Sequence, residues 1–475
     1  MKKFEKFIFE SYSFDEKSLK ASFFYSFDNW SEIFEEVIDF DSDKFKLPKT
    51  SSFLIKGSTW NEMEGEGLDI ILNNFLFNLH IALWISYYKL FPTKILEVKS
   101  WYLDEDQIIF WEKFYRNWLG EFFIKNDIDF SEIINFKNIW KVWSLEEINI
   151  LNNYIEKSEN FIEWKNLLLW WGWKDSIASL SILNKQNKKI DLFVFWKIDS
   201  IKENTATIAE KEILLVKRQL SSNLFKLNEQ GYYNWHVPIT WIIAFVTFVV
   251  SYLYWYSNII LSNEKSASEE NTIWKWLKIN HQYSKSLEFE QDLNNYLHAY
   301  TSKWINYFSL LRDKYEYKIA EIFSKEKKFF KSFSSCNRNF KINPPLTPPF
   351  KGGEQEKNLD LNSKRGLWCC ECEKCCFVFL ILSAHLKQED LISIFWENLF
   401  DKISLEKTFR ELIWLENYKP FECVGTYDES LLSAKKAIKK DMKWIILKNL
   451  KQEVLEKCNE EKELELENKL LKKYV

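Results

Sequence analysis

The apolar positions of this chain change period along its length, and the changes mark its organisation. Residues 1–160 alternate short apolar runs with acidic turns. Two longer stretches there read as helices: LDIILNNFLFNLHIALWISYYKL (68–90), and DEDQIIFWEKFYRNWLGEFF (104–123), which ends near Gly120. From residue 165 the rhythm becomes strand and helix in turn. KNLLLW (165–170), DLFVFW (191–196), EILLVKR (212–218) and SNIILS (257–262) are apolar runs of strand length, and DSIASLSILNKQ (175–186) is helical between the first two. Buried strands alternating with helices imply an α/β fold with a parallel sheet built from right-handed crossovers.

The run 241–261, WIIAFVTFVVSYLYWYSNIIL, carries no charge. A membrane helix has that signature, and so does a buried helix followed by a buried strand. Ser251, Asn258, several tyrosines and the lack of a basic flank favour the second reading, so no membrane span is expected. Residues 286–340 are charged and read as helical. NPPLTPPFKGGEQEKNLDLNSKRG (343–366) then gathers four of the eight prolines, cannot pack a core, and reads as a flexible exposed insertion. The tail from about 430 reads as a charged packing helix. The divisions expected are an N-terminal α+β region (1–160), a parallel-sheet domain (161–330), a cysteine-rich lobe with the insertion 343–366 (331–380) and a helical C-terminal region (381–475).

Net charge is -4 with both signs interspersed, which gives no field for nucleic acid or an anionic membrane. MKKFEKFIFESYSFDEK has acidic residues where a secretory signal needs an apolar run, so a cytoplasmic protein is expected. One feature of composition is abnormal. The chain has 10 glycines and 23 tryptophans; together they make up about the share that glycine alone usually holds, roughly 7%. NWLGEF (117–122), YNWHVP (233–238) and LIWLEN (412–417) place tryptophan where turn chemistry calls for glycine. The expectation is that many of these tryptophans are UGA codons that the source cell reads as glycine.

Five constellations carry candidate chemistry. LLLWWGWKDSIASL (167–180) is a strand running into a turn and a helix, and with glycine for its tryptophans it becomes a glycine-rich turn whose backbone N–H groups face phosphates. Ser176 adds a hydroxyl, and Asp175 stands at the helix start, placed to cap it and to help hold magnesium. In GLWCCECEKCCF (366–377), Cys369, Cys372 and Cys375 give C-x2-C-x2-C, and Cys336 lies upstream; thiolates so spaced favour a tetrahedral zinc site, with Cys370 and Cys376 as substitute ligands or, the favoured role, free helix-packed thiols. The intervening insertion lengthens the loop between ligands at small entropic cost. SNEKSASEEN (262–271) and INHQYSKSLEFE (279–290) follow a strand end and are polar and cationic, suited to a phosphorylated or carboxylated substrate. His236, in YNWHVPIT, and Cys423, in KPFECVGT, stand beside turns.

These strings resemble the ATP-dependent UDP-N-acetylmuramoyl-L-alanyl-L-glutamate epimerases of peptidoglycan precursor synthesis. The matching pieces are WISYYK (84–89), NWLGEF (117–122), LLLWWGWKDS (167–176), GYYNWHVPITWIIAF (231–245), SNEKSA (262–267), NHQYSKS (280–286), SCNRNF (335–340), WCCECEKCCFVF (368–379) and KPFECVG (419–425). Where the family has glycine, this chain has Trp84, Trp118, Trp171, Trp173, Trp235 and Trp241. The resemblance implies a PP-loop core, similar to the adenine nucleotide alpha hydrolases, and the inversion of the terminal L-Glu of UDP-MurNAc-L-Ala-L-Glu with ATP and magnesium. It implies ATP phosphates held by Trp171, Gly172, Trp173, Lys174, Asp175 and Ser176. Asn263, Glu264, Lys285 and Ser286 are implied contacts to nucleotide, magnesium or substrate, and His236, His281 and Cys423 are the nominated acid/base groups. Two alternatives stand beside it: a PP-loop nucleoside-modifying enzyme similar to the deazaguanine nitrile synthases, and a zinc-bearing interaction protein with a degenerate loop.

Overall fold

The computed structural model describes residues 2–41, 70–128, 134–138, 145–157, 165–234, 237, 239–268, 272–274, 277–280, 283–338, 367–416, 424–440 and 444–471. The insertion 343–366 lies outside them.

Alternation of burial builds the first strands. β1 (Lys6–Asp15), β2 (Lys20–Phe27) and β3 (Glu32–Asp39) form an antiparallel meander. Ala21, Phe23, Tyr25 and Phe27, two residues apart along β2, are all buried. The Tyr25 hydroxyl donates to the carbonyl of His80 on the helix Ile70–Leu83 at 2.9 Å. β4 (Ile95–Val98) and β5 (Phe136–Asn138) extend this side of the sheet in parallel.

β6 (Asn166–Leu169), β7 (Ile190–Phe195), β8 (Ile213–Gln219), β9 (Asn258–Leu261) and β12 (Asn306–Ser309) pair in parallel in the order β12-β9-β6-β7-β8. β10 (Thr272–Trp274) and β11 (Leu277–Ile279) form a separate hairpin. After Asn166, β6 is apolar because both of its faces are covered. Leu167 and Leu169 pack with the helix Ile239–Tyr254, while Leu168 and Trp170 pack with the helix Lys174–Lys185 and the C-terminal helices. From β6 the chain winds one way through β7 and β8, then the other way through β9 and β12. The reversal falls between β6 and β9, where an open α/β sheet leaves a crevice at the carboxyl ends of its strands.

The two halves make one ten-stranded sheet through a short antiparallel pairing of β3 with β8. A buried ion pair fastens that seam. Arg218 Nε donates to Glu36 Oε1 at 2.6 Å, and Arg218 Nη2 donates to Ser86 Oγ at 2.7 Å.

The strand and helix spans expected over 165–262 are present, and 241–261 is a buried helix followed by a buried strand. Ile70–Tyr88 is long and apolar enough to cross a membrane, but its side chains are packed inside the fold. Four expectations are corrected. The helix Glu105–Lys125 runs past Gly120, because Leu119, Phe122 and Phe123 are buried and their packing outweighs the cost of about 1 kcal/mol for an internal glycine. The 68–90 run breaks at Trp84. The region 286–340 holds a strand, β12, too short to stand out from its charged flanks. The tail is three helices, Tyr427–Lys439, Ile445–Lys457 and Glu460–Leu471.

Truncating one partner of the seam leaves the other charge buried and unpaired. Arg218→Met is therefore expected to destabilise the chain by roughly 3–5 kcal/mol. The double variant Arg218→Met/Glu36→Leu is expected to recover most of that loss in equilibrium denaturant unfolding.

Candidate functional site

At the carboxyl end of β6 the chain turns sharply into the helix Lys174–Lys185. Gly172 makes the turn with φ +68°, and a Cβ there would lie 2.8 Å from Ile201 Cγ2 and from Thr205 Oγ1. Both the backbone and the close neighbours therefore demand glycine. Trp170 is buried and donates its indole N–H to Thr205 Oγ1 at 3.1 Å. The rings of Trp171 and Trp173 lie 6.1 Å apart, half-buried. Trp173 is the N-cap and makes no side-chain capping bond. The Ser176 hydroxyl donates to the Trp173 carbonyl at 2.9 Å.

The helix opens on Lys174, whose ammonium is fully buried. An isolated buried ammonium would lose its proton. Here burial pulls in that direction, but Asp175 and Glu316 both pair directly with it and keep it charged. Glu316, the first residue of the helix Glu316–Phe323, also faces Lys374 Nζ at 3.7 Å. Burial alone would raise the Glu316 carboxyl; the two ammonium groups outweigh it and hold the pKa below the ordinary value. Burial lifts the Asp175 carboxyl to about 6; Lys174 pulls it down, while Glu316 and Glu264 push it up. Behind this cluster lies Glu429, which accepts from Tyr317 N at 3.0 Å, Thr426 N at 2.6 Å and Thr426 Oγ1 at 2.8 Å. Burial nevertheless raises it to about 7, and the Glu316 carboxylate adds to the rise.

The loop after β9 comes to the same edge. Ser262 Oγ lies 2.8 Å from Ser179 Oγ of the turn's helix, and the Asn263 carbonyl accepts from Ser309 Oγ at 2.6 Å. Glu264 bears on Asp175, and Lys285 bears on Glu316, through their charges. Ser286 is buried as the N-cap of the helix Leu287–Tyr300, its hydroxyl accepting from Phe289 N at 3.1 Å.

Cys336, Cys369, Cys372 and Cys375 converge, with all four sulfurs within 4.8 Å of one another. Cys369 Sγ and Cys372 Sγ lie 3.7 and 3.5 Å from Cys375 Sγ. A tetrahedron of ~2.3 Å metal–sulfur bonds has edges of about 3.8 Å, so the four thiols fit one tetrahedral metal ion. Cys372 is the N-cap of the helix Glu373–Ser383, and its sulfur accepts the Cys375 N–H. Cys370 and Cys376 stand apart from the four. Both are buried, burial pushes both thiols up, and Cys370 donates to the Phe395 carbonyl at 3.3 Å.

The structure thus brings together the turn residues, Glu264, Lys285 and, separately, the four cysteines. His236, His281 and Cys423 lie outside the described residues. Sequence reasoning missed Glu316, Lys374 and Glu429. Glu316 looks like one charge among many in DKYEYK. Lys374 had a signal, since it sits inside the cysteine motif, one residue before Cys375.

Over residues 1–310 the chain matches the profile of the MurL N-terminal domain, and over 332–468 that of the MurL C-terminal domain. It is 30% identical over 355 residues to a UDP-N-acetyl-alpha-D-muramoyl-L-alanyl-L-glutamate epimerase of Xanthomonas oryzae pv. oryzae, covering 74% of this chain and 72% of that protein. Proteins of the same name from Micromonospora sp. and Salinispora tropica are 33% and 32% identical over 267 and 263 residues, spanning 54% and 53% of their lengths.

The raised carboxyl of Glu429 sets a pH dependence. Its folded pKa, about 7, exceeds its ordinary value of 4.5, so its contribution to stability is complete below pH 4.5 and is lost as pH rises through 7. The loss is about 3 kcal/mol. Unfolding free energies measured across this window should fall for the parent chain. The slope should flatten in Glu429→Gln, whatever that variant's absolute stability; an unchanged slope would assign the titration elsewhere.

Proposed function

We propose, since this chain belongs to the MurL family, that it is an isomerase acting on a UDP-muramoyl dipeptide. It inverts the terminal L-Glu of UDP-MurNAc-L-Ala-L-Glu to D-Glu in peptidoglycan precursor synthesis, in the cytoplasm. The observation that carries the reading is the charged turn at the sheet's switch point: a glycine at positive φ, a helix N-terminus, and a buried lysine held between two carboxylates.

The chemistry explains why ATP is needed. The α-proton beside a free carboxylate is very weakly acidic, because removal would place two negative charges on adjacent atoms. Adenylating that carboxylate, with pyrophosphate leaving, removes its charge and acidifies the α-carbon. One group then takes the α-proton, another returns a proton to the opposite face, and water cleaves the acyl-adenylate to give AMP and the inverted product. In this reading the turn from Trp171 to Ser176 faces the phosphates, as helix N-termini do, and Lys174 adds a fixed positive charge. Asp175 and Glu264, two carboxylates that bear on each other through their charges, are the groups suited to magnesium. Asn263, Lys285 and Ser286 are the proposed contacts to nucleotide or substrate, and His236, His281 and Cys423 are the proposed proton-transfer groups.

The four-cysteine cluster is proposed to hold zinc. Four thiolates fill a tetrahedral shell and leave no open position, so the ion is structural. Its role here is to fix the start of the helix Glu373–Ser383, and so to set Lys374 against Glu316.

The test uses the chain as written and a version with glycine at Trp171 and Trp173. Each is incubated with UDP-MurNAc-L-Ala-L-Glu, ATP and magnesium, followed by chiral analysis of the released glutamate and assay of pyrophosphate. The glycine version is expected to form D-Glu and pyrophosphate, and Lys174→Ala is expected to abolish both. Pyrophosphate release only with a deazapurine carboxylate would move the protein to the nucleoside-modifying class. Metal analysis should find one zinc per chain in the parent and none in Cys372→Ser; retained zinc in that variant would overturn the cluster assignment.

A further inference from the structure

The backbone gives a second, independent view of the tryptophan excess. Thirteen non-glycine residues among those described have positive φ, and five are tryptophan: Trp30, Trp196, Trp255, Trp396 and Trp414, at φ 70°, 79°, 61°, 64° and 60°. Left-handed backbone is costly for any residue with a Cβ, and among non-glycine residues it is mostly asparagine and aspartate that adopt it. Tryptophan has no short polar side chain to compensate.

Three of the five stand where helices end on glycine. After the helix Ile239–Tyr254, the N–H of Tyr256 bonds back to the Ser251 carbonyl at 3.2 Å, which puts Trp255 at the left-handed position of a Schellman motif. After Glu406–Leu412, Leu415 N–H bonds to Arg410 O at 2.8 Å and Trp414 N–H to Glu411 O at 3.3 Å, the paired bonds of the same motif. After Gln388–Phe395, Trp396 N–H bonds to Ile392 O at 2.8 Å, the single bond of the simpler left-handed cap. The helix Ser222–Glu229 ends in the same way with an actual glycine, Gly231 at φ 89°, ahead of a Tyr232 N–H to Leu227 O bond of 3.2 Å. Trp30 lies in the β2–β3 turn, and Trp196 directly follows β7.

Exposure separates four of these five residues, Trp255 being half-buried. Trp30, Trp196, Trp396 and Trp414 are 53%, 40%, 37% and 45% exposed, and among tryptophans whose side chains are described no other is exposed. Trp111 and Trp304 contrast with them on each point. They are buried, and their indole N–H groups donate to Tyr296 Oη at 3.1 Å and Tyr154 Oη at 3.2 Å. Trp84, Trp173 and Trp444 form a further group, at helix N-caps with no side-chain capping bond, positions that accept glycine.

We infer that Trp30, Trp196, Trp255, Trp396 and Trp414 are glycines in the polypeptide that the source cell makes, their codons being UGA read there as glycine, and that Trp111 and Trp304 are true tryptophans. The backbone needs no indole at the first set and uses it at the second. For the turn at 171–173 the same reading gives an unobstructed run of backbone N–H groups, a consequence that rests on the nucleotide role proposed above.

Peptide mapping by mass spectrometry of the protein isolated from its source cell tests the inference without reference to activity. Glycine is expected at 255, 396 and 414, with tryptophan at 111 and 304. Tryptophan at 396 and 414 would overturn the inference, and so would UGG codons there. Two recombinant variants test the physical reason. If backbone conformation is the cause, Trp414→Gly raises the denaturant midpoint over Trp414→Ala, shifting the folding equilibrium roughly five- to thirtyfold. Equal midpoints would mean that only loss of an exposed indole matters, and would remove the conformational argument.

Discussion

Much of this molecule is arranged around one buried carboxylate that two ammonium groups share. Glu316 has no solvent to neutralise it, so it persists as an anion only because Lys174 reaches it from the turn after β6 and Lys374 reaches it from the cysteine lobe. Neither lysine could be kept charged at that depth alone, since burial of an unpaired ion costs several kcal/mol or more. The three groups therefore define one another's positions. Glu316 falls between the segments matched by the N- and C-terminal family profiles, so the ion cluster is also where the two parts of the chain are tied. The carboxyl of Glu429, raised by the same burial, closes the cluster from the C-terminal side.

Two scaffolds aim at this point from opposite directions. The reversal of winding between β6 and β9 opens the sheet at its carboxyl edge and delivers the glycine turn and the 262–268 loop together. The four sulfurs gather at the first turn of the Glu373–Ser383 helix, and Lys374 is carried on that turn. A candidate site assembled this way needs no long stretch of contiguous sequence, and its residues are scattered over more than two hundred positions.

The central parallel strands β6, β7 and β9 were legible because their runs are almost wholly apolar, and a run such as LLL before a turn has few other readings. The cysteine quartet was legible because ligand spacing is local for three of its members. Glu316 was not, because its meaning comes from two lysines that are distant in sequence, and nothing in DKYEYK distinguishes a buried glutamate from a solvated one. β12 escaped because four residues give two turns of alternation at most. The helix past Gly120 escaped because long-range packing decided against a local stop signal. The tryptophan excess was visible as composition, but which residues belong to it became readable only through backbone angles: left-handed φ selects five positions, and exposure selects four of the same five.

The seam between β3 and β8 has a consequence for how the chain is made. Glu36 and Arg218 are separated by 182 residues. On a ribosome working at roughly 5–20 residues per second, the first three strands wait on the order of ten to forty seconds for their neighbour to emerge. Through that interval β3 presents an open edge with unpaired N–H and C=O groups, the usual template for pairing with another chain. Its sequence, EIFEEVID, carries four carboxylates in eight residues, so two nascent copies repel where they would otherwise zip together. Glu36 is one of those carboxylates until Arg218 arrives to neutralise it. The charge that closes the finished sheet is thus first a guard on the unfinished one.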